Sequence, residues 1–176
     1  MCEKLDENLI FRIASDDKQA LETLYLETKT AVYGFILSIV RNFHTAEEIM
    51  QETYIKVYIS APSYVAQGKP LAWIFTISRN IALMRLRERE SSNVPLNLEF
   101  LSAQSDNTLE QTLDYLVLET ALRILKDEER QIVMLHDVSG MKHREIADIL
   151  QIPLPTVLSK YRRSLSKLRK HIKEDM

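Results

Sequence analysis

Turn-forming and cross-linking residues are scarce in this sequence: among 176 residues there are 3 glycines, 5 prolines and 1 cysteine. So few glycines argue against a protein of many short strands and tight turns, and long helices are expected instead. The single cysteine, Cys2, excludes an internal disulfide and any cysteine-rich zinc site, and its place at the start of the chain argues against a reactive role. Four histidines, His44, His136, His143 and His171, show no metal-ligand spacing. No apolar run approaches the ~18 residues needed to span a bilayer, and the first residues are charged and unlike a secretory leader. A soluble, cytoplasmic chain without membrane insertion is expected. A glycine-rich phosphate loop, a nucleophile motif and a cluster of acids are also missing, so neither an enzyme nor a bound cofactor is expected.

Excess charge of either sign is missing too, but the formal net charge of −2 hides an asymmetry. Residues 1–90 hold 11 cations and 12 acids, residues 91–122 hold 5 acids and no cation, and residues 123–176 hold 12 cations and 8 acids. Counterion release supplies most non-specific affinity for DNA, so a chain without overall positive charge should bind DNA weakly by itself. It should reach DNA in company.

The basic end has a pattern. From Leu158 to Lys173 there are seven cations and no acid, whereas a merely solvated helix face mixes signs. Ile146, Ala147, Ile149 and Leu150 recur at helical spacing after Gly140, and the pattern breaks at Gln151-Ile152-Pro153. A second helix follows, with Val157, Tyr161, Leu165 and Leu168 on one stripe. Thr156, Ser159 and Arg163 lie opposite, flanked by Lys160 and Arg162. Hydroxyls followed by cations on the outer face of a second helix describe a helix-turn-helix. In this reading Arg163 suits a bidentate base contact, and Lys160 and Lys167 suit phosphates.

Before it, residues 5–42 show two helical patterns broken at Ser15-Asp16-Asp17. Asn42 to His44 is expected to turn, and Thr45 with Glu48 has the spacing of a capping box. The next helix buries Ala46, Ile49, Met50, Tyr54 and Val57 and exposes Glu48, Gln51, Glu52 and Lys56. Residues 60–70 form a loop carrying Tyr64, Gln67 and Lys69. Residues 71–89 resume as a helix with Trp73, Ile74, Ile77, Ile81 and Leu86 inward, and Arg79 and Asn80 outward. Tyr64 suits either a core or a base-stacking place. Residues 91–108 lose the helical period, residues 109–125 regain it, and residues 127–137 form a further helix. The expectation is an all-α chain of two small helical domains, 1–90 and 109–176, joined by a flexible acidic linker, 91–108.

Four stretches in order resemble a known family: TAEEIMQETYIKVY, SYVAQGKPLAWIFTISRNIALMRLRER, LKDEERQIVMLHDVSGMKHREIADIL and IPLPTVLSKYRRSLSKLRK. The chain is similar to the bacterial RNA polymerase sigma factors of the extracytoplasmic-function (ECF) group, in the sigma-70 family. That resemblance implies a transcription initiation factor whose first domain docks on the β′ clamp helices of core RNA polymerase and reads the −10 element. The second domain would hold the β flap and read the −35 element of promoter DNA. It places Glu48, Gln51 and Glu52 on the polymerase contact. Tyr64, Gln67 and Lys69 fall in the loop that captures a flipped non-template base, with Arg79 and Asn80 in the helix beside it. Thr156, Ser159, Lys160, Arg162 and Arg163 fall on the −35 reading helix. An anti-sigma factor is a further implied partner. The chain departs from the family at Met84, where aspartate is common, at Leu158, where lysine is frequent, and at Pro153, often serine; Val65-Ala66 lacks the usual arginine and glycine. The rival reading is a dimeric helix-turn-helix regulator with an N-terminal sensing domain, which would bind palindromic DNA without polymerase. An enzyme with an accessory helix-turn-helix is a third.

Overall fold

The computed structural model describes residues 5–91 and 123–174, with side chains to residue 171. Every regular element among them is helical, and the chain divides into two compact units, Met1–Leu98 and Glu99–Met176. Cys2, the linker 91–108 beyond its first residue, and most of the helix expected at 109–125 lie outside the described residues. No described helix is long and apolar enough to cross a membrane.

In the first unit, α1 (Asn8–Ala14) buries Leu9, Ile10 and Ile13. The Ser15-Asp16-Asp17 break is a true stop. Asp16 takes a left-handed backbone (φ 65°), and the Asp17 carboxylate caps α2 (Lys18–Val40) by accepting from the Gln19 and Ala20 N–H groups. Arg12 pairs with the same carboxylate at 2.7 Å, so one side chain joins both helices. The Arg12 hydrogen bond, with the capping N–H groups, holds the Asp17 carboxyl below its usual value.

The second half of α2 is the centre of the unit. Val32, Phe35, Ile36, Leu37, Ile39 and Val40 are buried, as are Gly34 and Ser38 between them. Such a segment is apolar on all sides and must be enclosed by other helices. α3 (Phe43–Ser60) and α4 (Pro70–Ser91) enclose it. Phe35 meets Phe75 edge-on at 5.2 Å, and Tyr25 meets Tyr54 at 4.9 Å. The buried Tyr54 hydroxyl is 2.7 Å from the Thr28 hydroxyl. Without a charged acceptor, burial pushes that phenol well above its usual value.

Three expectations need correction. The cap of α3 is Asn42, not Thr45: the Asn42 side chain accepts from the Thr45 N–H at 2.8 Å, and Phe43 and His44 are already helical. Arg41 in a left-handed conformation (φ 56°) makes the turn one step earlier, so the stronger capping residue lands at the boundary. Residues 60–70 are not all loop, since Ala61–Ser63 is a 3-10 turn and Pro70 opens α4, where its fixed φ suits a first helical turn. In α4, Ile74 and Ile81 are buried as expected, but Phe75, Ser78 and Ala82 share the core, while Trp73, Ile77 and Leu86 are half-buried.

In the second unit, α5 (Asp127–Val133) runs into a π-turn, Met134–Val138, where one regular helix was expected. Glu129 accepts from the Lys126 N–H at the start of α5. Arg130 is only 2% exposed; it donates to the Leu125 carbonyl at 2.6 Å and pairs with Asp127. Gly140 (φ 67°) then turns the chain into α6 (His143–Leu150). Gln151 ends α6 in a left-handed conformation, and Pro153 accepts the first N–H groups of α7 (Leu154–Glu174). Ile146, Ile149, Leu150 and Val157 are buried, while Leu168 packs with Leu125 and Val133. This is the expected helix-turn-helix, carried on α5.

Replacing Asn42 by Ala should lower the unfolding free energy by about 1 kcal/mol in urea titrations, the usual loss for an N-cap. An unchanged midpoint would return the cap to Thr45.

Candidate nucleic-acid and partner interfaces

Each expected surface rests on a helix whose other side is core, so burial decides what faces out. On α3, packing Ala46, Ile49, Thr53 and Val57 inward turns Glu48 and Gln51 to solvent and leaves Glu52 at the edge. Arg85 of α4 holds the acids together, 3.1 Å from Glu52, 3.9 Å from Glu48 and 3.8 Å from Glu88. His44 lies 3.3 Å from Glu48 one turn earlier. The same arc continues as Ile55 and Ile59, which are 60% and 62% exposed. Periodicity could have found them, since they follow Glu48, Gln51 and Glu52 at spacings of three, four and seven. The face is thus acidic at one end and apolar at the other.

The loop after Ser63 is shaped from within. The Tyr64 ring lies 4.8 Å from Trp73 and 6.1 Å from Phe11, centroid to centroid, so it belongs to an aromatic cluster. Its hydroxyl donates to Glu7 Oε1 at 2.6 Å. Burial and the Glu7 carboxylate together raise the phenol far above its ordinary value. Gln67 and Lys69 are exposed. Asn80 is exposed on α4, two turns after Trp73 and on the same stripe, while Arg79 is half-buried. Met84, one turn further along α4, is 47% exposed.

On α7, Val157, Ser164 and Leu168 face the core, and Tyr161 and Leu165 flank them. The outer arc is Ser159, Arg162, Arg163, Ser166, Arg169 and Lys170, with Leu158 at its edge. Thr156 is half-buried in the first turn. The Ser159 hydroxyl donates to the Thr156 carbonyl, and Arg163 Nε donates to the Ser159 carbonyl at 3.2 Å. Lys160 and Lys167 stand apart from this arc. Lys160 pairs with Glu128, and Lys167 Nζ lies 2.6 Å from Glu129 Oε2. Both acids come from the first turn of α5, so these lysines tie α7 to its support. Arg169 and Lys170 are the outward cations that residue patterning left unassigned.

Two histidines seven residues apart, one in the π-turn and one opening α6, meet beside Tyr161 of α7. His136 and His143 stack at 4.1 Å, and both rings touch Tyr161 edge-on. His136 Nδ1 is 2.8 Å from the Met141 carbonyl, so that nitrogen carries the proton. Burial and the neighbouring His136 lower the His143 pKa, and burial with the Asp137 carboxylate pushes Tyr161 up to about 12. Among the described residues no group of three or more His, Cys, Asp or Glu could hold a metal ion.

Comparison with known proteins gives these surfaces a context. Residues 24–92 match the family described as Sigma-70 region 2, and residues 115–168 match Sigma-70, region 4. The chain is 31% identical over 169 residues to the ECF RNA polymerase sigma factor SigK of Mycobacterium ulcerans, covering 92% of this chain and 90% of that one. SigK of Mycobacterium tuberculosis H37Rv is 28% identical over the same length. Among solved structures, the sigma factor RpoE in complex with the anti-sigma factor NepR from Bartonella quintana superposes with a TM-score of 0.69 at 23% identity. It covers 88% of this chain and 98% of that one. CnrH in complex with the cytosolic domain of CnrY gives 0.68 at 19% identity, covering 97% and 99%.

The Lys167–Glu129 pair sets a pH dependence. Burial raises the Glu129 carboxyl, but Lys167 and the Lys126 N–H outweigh it and leave the pKa below its ordinary value. A carboxylate with a depressed folded pKa stabilises fully above its ordinary value and loses this as pH falls through the folded one. Glu129→Gln should therefore cost about 1 kcal/mol at pH 7, and the gap to wild type should close in thermal melts well below pH 4. A gap that widens in acid would contradict the assignment.

Proposed function

The chain belongs to the ECF sigma factors of the sigma-70 family, which direct RNA polymerase to promoters, and on that premise we propose how it divides the work. The first domain docks on the β′ clamp helices of core polymerase through Glu48, Gln51 and Glu52, and reads the −10 element. The 64–69 loop, with Tyr64, Gln67 and Lys69, captures melted non-template strand beside Arg79 and Asn80. The second domain holds the β flap and reads the −35 element through Thr156, Ser159, Arg162 and Arg163. The observation that supports this reading is the outer arc of α7, basic and hydroxylated, on a helix-turn-helix whose opposite side packs on the core through Val157, Ser164 and Leu168.

No bond is broken in such work, and the chain acts by binding energy alone. Extruding a base costs a few kcal/mol, offset where a pocket and nearby cations receive the strand. Tyr64 contributes to this as a wall of the loop, since its ring is already packed between Phe11 and Trp73. Lys160 and Lys167 reach phosphates only by leaving Glu128 and Glu129; held as they are, they orient α7. Arg169, exposed on the outer arc, takes a phosphate role. An anti-sigma factor is a fitting regulator, because the solved neighbours are bound to such partners or to a cytosolic domain. The site of action is the cytoplasm, with the polymerase.

Run-off transcription with purified core enzyme, with and without this chain, tests the reading. Core-dependent transcripts from a defined promoter are expected; binding to palindromic DNA without core would favour a dimeric regulator. Glu48→Lys/Glu52→Lys should abolish co-purification with core while helicity stays unchanged. Arg163→Ala should cost roughly 1–3 kcal/mol at one −35 base and flatten discrimination there. Lys167→Ala should alter the salt slope of holoenzyme binding by clearly less than the ~0.9 expected per lost phosphate contact. Equal weakening of every −35 variant by Arg163→Ala would make that residue a phosphate clamp.

A further inference from the structure

Glu7 stands just before α1, 57 residues from Tyr64, yet it is the hub of the 64–69 loop. A single carboxylate oxygen, Oε1, accepts three donors: the Tyr64 hydroxyl at 2.6 Å, the Gln67 N–H at 3.1 Å and the Gly68 N–H at 3.0 Å. Gly68 has φ +66°, a left-handed backbone that points its N–H to the same side as its neighbour's, forming a small concave nest for an anion. With the backbone N–H groups drawn inward, the side chains of Gln67 and Lys69 are on the exposed side of the loop. Glu7 itself is on a firm base. Leu9, Ile10 and Ile13 seat α1 in the core, and Arg12 ties its end to Asp17. Nothing in the residue pattern at Glu7 pairs it with a loop so distant in sequence.

We propose that Glu7 is a positioning residue for single-strand capture: it pre-shapes the 64–69 loop so that Gln67 and Lys69 are presented to the displaced strand. This deepens the promoter-melting role proposed above and rests on it. Glu7 touches no DNA. Its effect is to order the loop before the strand arrives, so that less of the binding energy is lost in ordering it afterwards. A carboxylate suits the task because its charge strengthens all three hydrogen bonds at once. The neighbouring ring cluster fixes the direction from which the Tyr64 hydroxyl comes.

The test uses the full chain assembled with core polymerase. Glu7→Ala removes the acceptor, Glu7→Gln keeps an oxygen in the same place, and Tyr64→Phe removes one donor while keeping the ring. Core binding, −35 discrimination, melting temperature and permanganate reactivity of the promoter are measured together. Glu7→Ala should assemble with core and discriminate −35 variants as wild type does. Open complexes should fall about tenfold, the scale of one or two lost hydrogen bonds, with base preference flattened at the −10 element. Glu7→Gln should recover much of the loss, and Tyr64→Phe should lie between. Open complexes at wild-type level in Glu7→Ala, with unaltered −10 preference, overturn the proposal. So does a loss in all three variants that merely tracks melting temperature and core binding, since Glu7 would then only stabilise the fold. If wild type itself forms no core-dependent open complex, the promoter-melting reading fails first and this role falls with it.

Discussion

The second half of α2 imposes the strongest constraint on the first unit. From Val32 to Val40 almost every side chain is buried, so no single face can be given to solvent. Each large apolar side chain enclosed there contributes about 1.5–3 kcal/mol relative to exposure. That contribution needs helices on several sides at once, and α3 and α4 supply them. The outer faces of α3 and α4 are consequences of this enclosure. Once Ile49, Val57, Ile74 and Phe75 turn inward, the Glu48–Glu52 arc and the Asn80 stripe have no other direction to face.

Acids placed at helix starts supply the finer order in both units. Asp17 caps α2 and holds Arg12; Glu7 holds the loop; Glu129 closes the first turn of α5 and reaches Lys167. Charge at a helix N-terminus is favoured by the helix dipole, so these carboxylates serve two neighbours for one desolvation. The arrangement also sorts the cations of α7. Lysines on its flank are held by α5 acids, whereas the arginines of the outer arc are exposed. A near-neutral chain can in this way present a strongly basic strip without carrying a large net charge. A low net charge of this kind is expected to keep non-specific affinity for DNA low.

Much of this was legible in the order of residues. The scarcity of glycine, the helical periods, the break at Asp16-Asp17 and the Gly140 and Pro153 punctuation place the helices in the first 91 residues and after residue 125, because local backbone sterics and one-face burial act within a few residues. The basic, acid-free stretch after Leu158 identifies the outward strip of α7 for the same reason. Contacts between distant segments were not legible. The α3 cap moved from Thr45 to Asn42 because the preceding residue, Arg41, takes a left-handed turn; the π-turn after Val133 broke a helix whose period ran on unbroken. Lys160 and Lys167 have the same chemistry as the outer cations, and only their angular position beside Glu128 and Glu129 separates them.

What the sequence by itself determined is the helical character, the helix-turn-helix and the family, since each depends on residue type at short, regular spacing. The tertiary structure decided which charged groups are paired within the protein and which stand exposed on its surface. Glu7 against the 64–69 loop, Arg85 between Glu48 and Glu52, and the His136–His143–Tyr161 cluster all join residues from separate elements. Ion pairs and hydrogen bonds are decided over a few ångströms, and only packing brings such groups within that distance.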